Sequence, residues 1–145
     1  MKMGKFHRQV EVIYCDDIRQ ELGHKTSIMG VYGSDLIVNK VPFTIHKLCL
    51  SVRALTPIDE PFTSLEIFVY QGKEDDKQKE LIATGPLEMP SSEQFLLDGS
   101  KVFIVQTFFA LSPLQIDEET VLRVKVKTDK EVLRGIGLRI KALEN

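Results

Sequence analysis

The sequence predicts an all-β fold, a single-domain antiparallel β-sandwich of about eight strands. Three observations carry that prediction. Val121-Leu-Arg-Val-Lys-Val-Lys-Thr128 alternates apolar and basic side chains at every step. Successive side chains of a strand point to opposite faces, so Leu122, Val124 and Val126 face a core while Arg123, Lys125 and Lys127 face water. Leu48, Leu50, Val52 and Ala54 repeat the pattern against Lys47, Ser51 and Arg53. Turn-forming residues then punctuate the chain at short intervals: Gly33-Ser-Asp35, Pro57 with Pro61, Gly72, Pro86 with Pro90, Asp98-Gly99 and Ser112-Pro113.

Taken in order, the expected strands are His7–Cys15, Thr26–Tyr32, Ile45–Ala54, Ser64–Gln71, Glu80–Gly85, Val102–Leu111, Thr120–Thr128 and Val132–Ala142, with Leu36–Val38 as a small ninth. Phe68 and Tyr70 lie on the parity opposite Leu65, Ile67 and Val69, and if left uncovered they form a contact surface. The segment 72–80 is a solvated charge run. Val102–Leu111 is apolar on nearly both parities, which suits a strand central in its sheet. The last two strands constrain their own turn. A two-residue loop at Asp129-Lys130 would set Val124 opposite Gly135 and mix core with solvent residues. An odd loop such as Asp129-Lys-Glu131, or a bulge, instead pairs Leu122 with Leu138 and Val124 with Ile136, leaving Arg123 and Lys125 over Gly137 and Gly135. Two helical turns are expected. One is Asp16–Gly23, with an Asp cap, Ile18 and Leu22 on one side and Gly at the stop; the other is Ser91–Phe95 after Pro90.

At 145 residues, 43% apolar and 28% charged, the chain is long enough for one buried core and reads as one domain over 1–145. A net charge of -2 gives no overall attraction to nucleic acid or anionic lipid, so neither nucleic acid nor membrane is an expected partner. No uncharged apolar run reaches the length of a bilayer span, and the start of the chain lacks the apolar stretch of a secretory signal. A cytoplasmic protein is expected. Cys15 and Cys49 are too few for a disulfide scaffold and read as half-buried thiols, a Cys15–Cys49 bridge being the alternative.

The densest polar cluster is Tyr14–Lys25, where Asp16, Asp17, Arg19, Glu21, His24 and Lys25 share one connection. Loops on a rigid scaffold often carry recognition, so Asp16, Asp17, Arg19, Glu21 and Lys25 are the candidate binding residues; the plainer account is a capped helical turn with a wet face. A calcium site would need the loops holding Asp16/Asp17, Asp59/Glu60 and Asp129 to meet at one end, against repulsion from Arg19, Lys25, Lys130 and Arg53. Arg123, Lys125 and Lys127, with Arg139 and Lys141, form a basic stripe that reads as the solvent face of a sheet, since no aromatic residues interleave with it. Catalytic motifs are absent: no H-E-x-x-H, paired C-x-x-C, G-x-S-x-G or phosphate-binding glycine loop, and His7, His24 and His46 are scattered. Gly135-Ile-Gly137 marks a bulge. No cofactor and no enzyme activity are expected.

Tyr14-Cys-Asp-Asp-Ile-Arg-x-Glu21, then Gly23-x-Lys25 and Ser27-x-x-Gly30-x-Tyr32, resembles the opening of a small bacterial and phage family, a domain of unknown function. Pro42-Phe43 and Pro61-Phe62-x-x-Leu65 are similar to that family as well. The resemblance implies a bacterial or prophage origin and a β-sandwich. It brings no reaction, ligand or partner, and leaves Asp17, Arg19, Glu21 and Lys25 as the least generic polar residues. The expected role is therefore a non-catalytic accessory module with an unknown protein partner, its exposed strand edges allowing a homodimer. The alternative is a small-ligand or calcium binder using the Asp16–Lys25 end.

Overall fold

Alternating apolar and polar side chains can bury one face only in extended backbone, and residues 120–128 alternate buried and more open side chains in that way. The computed structural model describes residues 6–73, 78–89, 99 and 101–144. Among them it has no helix and twelve strands: β1 Gln9–Glu21, β2 Lys25–Val31, β3 Asp35–Lys40, β4 Phe43–Ile45, β5 Leu48–Pro57, β6 Leu65–Gln71, β7 Lys79–Ala83, β8 Val102–Leu111, β9 Leu114–Ile116, β10 Thr120–Thr128, β11 Val132–Arg134 and β12 Leu138–Glu144. One sheet runs β2-β1-β5-β8, and the other runs β3-β12-β10-β6-β7 with β11 also on β10. β4 and β9 pair as a separate short ribbon. The apolar faces meet in one core. Val12, Tyr14, Leu48, Leu50 and Val52 come from the first sheet; Leu36, Leu65, Ile67, Leu122, Val124 and Ile140 come from the second; Leu114 and Ile116 come from the ribbon.

The sandwich stands, with more strands than the eight expected and one departure from antiparallel order. β3 lies parallel to β12, Leu36 opposite Ile140. The small ninth strand expected at Leu36–Val38 is this β3. Ile45–Ala54 divides into β4 and β5 at His46-Lys47, because Ile45 pairs with Leu114 of β9 while Leu48 pairs with Leu111 of β8. The central strand of the first sheet is β5, paired on both sides and buried at almost every position. β8, expected there, is the last strand of its sheet, so its outward residues are partly open to water. The Ser91–Phe95 turn, and 74–77 of the charge run, lie outside the described residues.

The β10–β11 turn is the two-residue loop, and a bulge repairs its register. Thr128 N–H donates to the Glu131 carbonyl at 2.8 Å, and Lys125 stands opposite Arg134. Past Gly135-Ile-Gly137 the pairing has moved on by one residue, setting Leu122 opposite Leu138 as the buried face demands. Val124 and Ile136 do not pair: Gly135 N–H donates to the Val124 carbonyl at 2.9 Å, and Ile136 points outwards, 64% exposed. The Tyr14 hydroxyl crosses from the other sheet and donates to the Ile136 carbonyl at 2.8 Å, which satisfies a group the bulge takes out of the ladder. Burial raises the Tyr14 pKa well above its usual value, more than nearby Arg123 lowers it. Arg123 lies over Gly137 as expected, but Gly135 faces the core.

That placement makes Gly135 testable. A Cβ there would lie 2.5 Å from Val12 Cγ2 and 3.5 Å from Val10 Cγ1. Gly135→Ala is therefore expected to destabilise by about 1–3 kcal/mol through overpacking. Val12→Ala in the same chain should recover part of the loss. Urea midpoints check both; a single variant as stable as the parent refutes the packing account.

Candidate functional site

β1 has more residues than its neighbour can cover. β5 pairs with it from Gln9↔Leu55 to Cys15↔Cys49 and then stops. From Asp17 to Glu21, β1 pairs with β2 alone, through Asp17↔Met29, Ile18↔Ile28, Arg19↔Ser27, Gln20↔Thr26 and Glu21↔Lys25. Residues 16–30 therefore project as a two-stranded arm, without a third strand among the described residues. This overturns the helical turn at Asp16–Gly23. The 3.6-residue spacing of Ile18 and Leu22 is accidental: Ile18 packs across the ribbon on Ile28, and Leu22 sits at the tip, 93% exposed. Gly23, read as a helix stop, is a turn residue instead. With φ of 85° at Gly23 and 58° at His24, the backbone enters the left-handed region twice to reverse direction.

The five candidate residues lie on this arm, in two groups. Near its base, Asp16 folds over Gly30 and accepts a hydrogen bond from the Tyr32 hydroxyl at 2.5 Å. Burial first and this bond second push the Tyr32 hydroxyl up to about 12. Asp17 accepts from Lys47 Nζ at 2.6 Å and from the Ile18 N–H at 3.0 Å, with Arg19 Nε 3.6 Å away. The Lys47 bond is the main reason the Asp17 carboxyl titrates below its usual range, and Lys47 is raised in return. Towards the tip, Arg19, Glu21 and Lys25 are exposed, and Glu21 and Lys25 are register partners. Asp16 and Asp17 thus anchor the arm, while Arg19, Glu21 and Lys25 dress it. Sequence reading missed Tyr32, Lys47 and the unshielded Leu22. The resemblance quoted Tyr32 without a role, and its parity with Asp16 across a hairpin was the available signal.

Beneath the arm, Cys15 and Cys49 are free, fully buried and side by side as register partners. The Cys15 thiol donates to the Cys49 carbonyl at 3.7 Å. Burial first, then the neighbouring Cys49, push its pKa up to about 11, so it stays protonated and unreactive at neutral pH.

The calcium arrangement does not assemble. Asp129 and Glu60 share an end of the sandwich, but Asp16 and Asp17 lie along the arm beyond the other end of the β1·β5 pairing. The guanidinium of Arg8 bridges the Asp129 carboxylate and the backbone carbonyl of Glu60 at that end. Among the described residues, no group of three or more His, Cys, Asp or Glu side chains is placed to hold a metal ion. Three surface depressions stand out, lined by Gln71, Lys79, Gln115 and Asp117, by Arg8 and Glu131, and by Val121 and Arg139; none is lined by Asp17 or Arg19.

The molecule is a β-sandwich from which a two-stranded β-ribbon extends, with no third strand beside it among the described residues. The family described as "Family of unknown function (DUF6941)" matches residues 11–141, and the chain belongs to it. No curated protein matches it. Among the described residues no helix is long and apolar enough to cross a membrane.

Proposed function

We propose that the chain is a non-catalytic accessory module that binds a protein partner through its β1–β2 arm. The observation that carries this is the ribbon beyond Asp16, with Leu22 93% exposed at its tip and the half-buried Ile18, Ile28 and Met29 along it. A two-stranded hairpin alone is marginally stable in water, and an exposed apolar tip gains nothing for the free fold. Both features make sense when a partner completes the ribbon. Among the described residues β2 is also an edge strand, whose outer backbone groups can accept a further strand from a partner or from a second copy. Two buried free thiols side by side support residence in a reducing cytosol, in keeping with the bacterial or prophage origin that the resemblance implies.

Capture of proteins from a bacterial host lysate, compared between the parent, Leu22→Asp and Ile104→Asp, tests the reading. Leu22 touches little, so Leu22→Asp should stay within about 0.5 kcal/mol of parental stability. It should lose the captured band, while Ile104→Asp, on the outer face of β8, keeps it. Identical bands from all three proteins would refute the arm as the contact, and light scattering of each distinguishes a second copy from another partner.

A further inference from the structure

The outer face of the six-stranded sheet gathers cations around a tyrosine. Across β6·β10, Tyr70 is opposite Arg123 and Phe68 is opposite Lys125; across β10·β11, Lys125 is opposite Arg134. The basic stripe is thus interleaved with aromatic rings after all, because β6 lies beside β10 and supplies Phe68 and Tyr70. Lys125 Nζ stands 5.3 Å from the centre of the Phe68 ring and 5.4 Å from that of Tyr70. Arg134 Nη1 donates to the Tyr70 hydroxyl at 3.2 Å. Tyr70 is only 4% exposed under this cover.

Two features of the cluster are unfavourable for the free protein. Lys125 and Arg134 are like charges placed directly opposite one another, an arrangement that destabilises a sheet. Arg123 Nε is shut off from water and has no acceptor, a loss that folding ordinarily avoids. Among the described residues, none of the three cations has a carboxylate partner, although Asp17, Asp35 and Asp129 all hold theirs. Two acidic residues of the neighbouring strands, Glu66 opposite Lys127 and Glu80 opposite Tyr70, flank the cluster by register.

We propose that Arg123, Lys125 and Arg134 around Tyr70 form a docking site for the carboxylates of an acidic segment of a partner protein. A carboxylate set among them would offset the repulsion and offer the guanidiniums charge-assisted, two-pronged hydrogen bonds. Charge complementarity favours an acidic peptide over nucleic acid for two reasons. The chain carries a net charge of -2, so the positive field is local and lacks the many phosphate contacts that drive nucleic-acid binding. Tyr70 lies beneath the cations and offers no open ring for a base to stack on. The inference extends the interaction-module reading but uses a face distinct from the arm, so the two fail independently.

The test is fluorescence anisotropy of labelled poly-glutamate with the full chain at low salt, with oligothymidylate and inorganic phosphate as competitors. Arg123→Gln and Lys125→Gln should each weaken binding about tenfold, the loss of one charge-assisted contact. Arg134→Gln keeps a donor for the Tyr70 hydroxyl, folds without the clash of like charges, and should weaken binding as well. Leu22→Asp should leave it unchanged. Oligothymidylate displacing poly-glutamate at equal charge concentration would overturn the proposal in favour of nucleic acid. Free phosphate displacing it at the same charge concentration, absent binding, or equal binding by the three face variants would overturn it too.

Discussion

Arg8→Met is expected to destabilise the fold by about 3–5 kcal/mol, the loss seen when one member of a buried, hydrogen-bonded charge pair is removed. The Arg8 side chain is only 5% exposed, and its guanidinium ties three segments together. Nε donates to Thr56 Oγ1 at 2.9 Å, Nη2 to the carbonyls of Glu60 and Pro61 at 3.0 and 3.1 Å, and Nη1 to Asp129 Oδ1 at 3.0 Å. The group also stacks 4.6 Å from the centre of the Phe62 ring. Methionine keeps the stem and the packing on Phe62 but takes the charged donor from Asp129 and the guanidinium bonds from the carbonyls of Glu60 and Pro61, so the loss measures the polar contacts rather than a cavity. Asp129 gives the same site a pH signature. Burial raises its pKa, but the Arg8 bond, the Thr63 N–H and the Arg8 charge outweigh it and hold the carboxyl below its usual value. A carboxyl depressed in the folded state adds stability above its unfolded pKa of about 3.9, and that stability is lost as pH falls through the lower folded value. Melting curves should therefore show the gap between parent and Arg8→Met narrowing in acid. A gap that is small at neutral pH, or constant down to strong acid, would refute this account of Arg8.

Alternation made the sandwich legible, and its limits account for what was missed. Leu122, Val124 and Val126 are buried as read, because one face of β10 has only the core to meet. β8 and β10 keep their expected bounds, since Gly99 and Pro113 punctuate β8 while the charged runs Asp117-Glu-Glu119 and Asp129-Lys-Glu131 bracket β10. Periodicity was silent where a segment is short or amphipathic in two senses. Asp16–Leu22 satisfies a helical spacing and a strand spacing equally, and pairing with β2, a non-local term, decides between them. The two-residue loop at Asp129-Lys130 was set aside on register, but Gly135-Ile-Gly137 absorbs the mismatch, and the alternative of a bulge had the right physics. The candidate residues were legible as a cluster and illegible as an arm, because their meaning depends on where β5 ends. The aromatic cover of the basic stripe had no local signal either: Tyr70 and Arg123 meet only through the order of strands in the sheet.

Gly30→Val is the substitution expected to take the arm apart while sparing the sandwich. Gly30 holds a φ of 67°, where a β-branched residue is a genuine outlier. A Cβ there would also lie 2.7 Å from Asp16 Cγ and 3.0 Å from Asp16 Cβ, with the carboxylate oxygen closer still. Asp16 can make room only by releasing the Tyr32 hydroxyl, and its own Cβ cannot withdraw without moving β1. Left-handed strain of about 1–2 kcal/mol, a lost hydrogen bond of about 1 kcal/mol and the residual clash sum to about 3 kcal/mol. A ribbon with no third strand among the described residues has little stability of its own to absorb that. Amide exchange at 16–31 should accelerate roughly a hundredfold, two powers of ten for that free energy, while β5 and β10 keep their protection. Two companions separate the causes. Gly30→Asn tolerates the left-handed backbone but still meets Asp16, so it should fail nearly as badly. Gly30→Ala combined with Asp16→Ala removes most of the clash and keeps the strain, so it should recover in part. Unchanged exchange at 16–31 in Gly30→Val would mean that the arm does not depend on the Asp16–Gly30 contact. Partner capture reads the same series a second way: if the arm is the contact, capture should fall in the order of arm protection rather than of global stability.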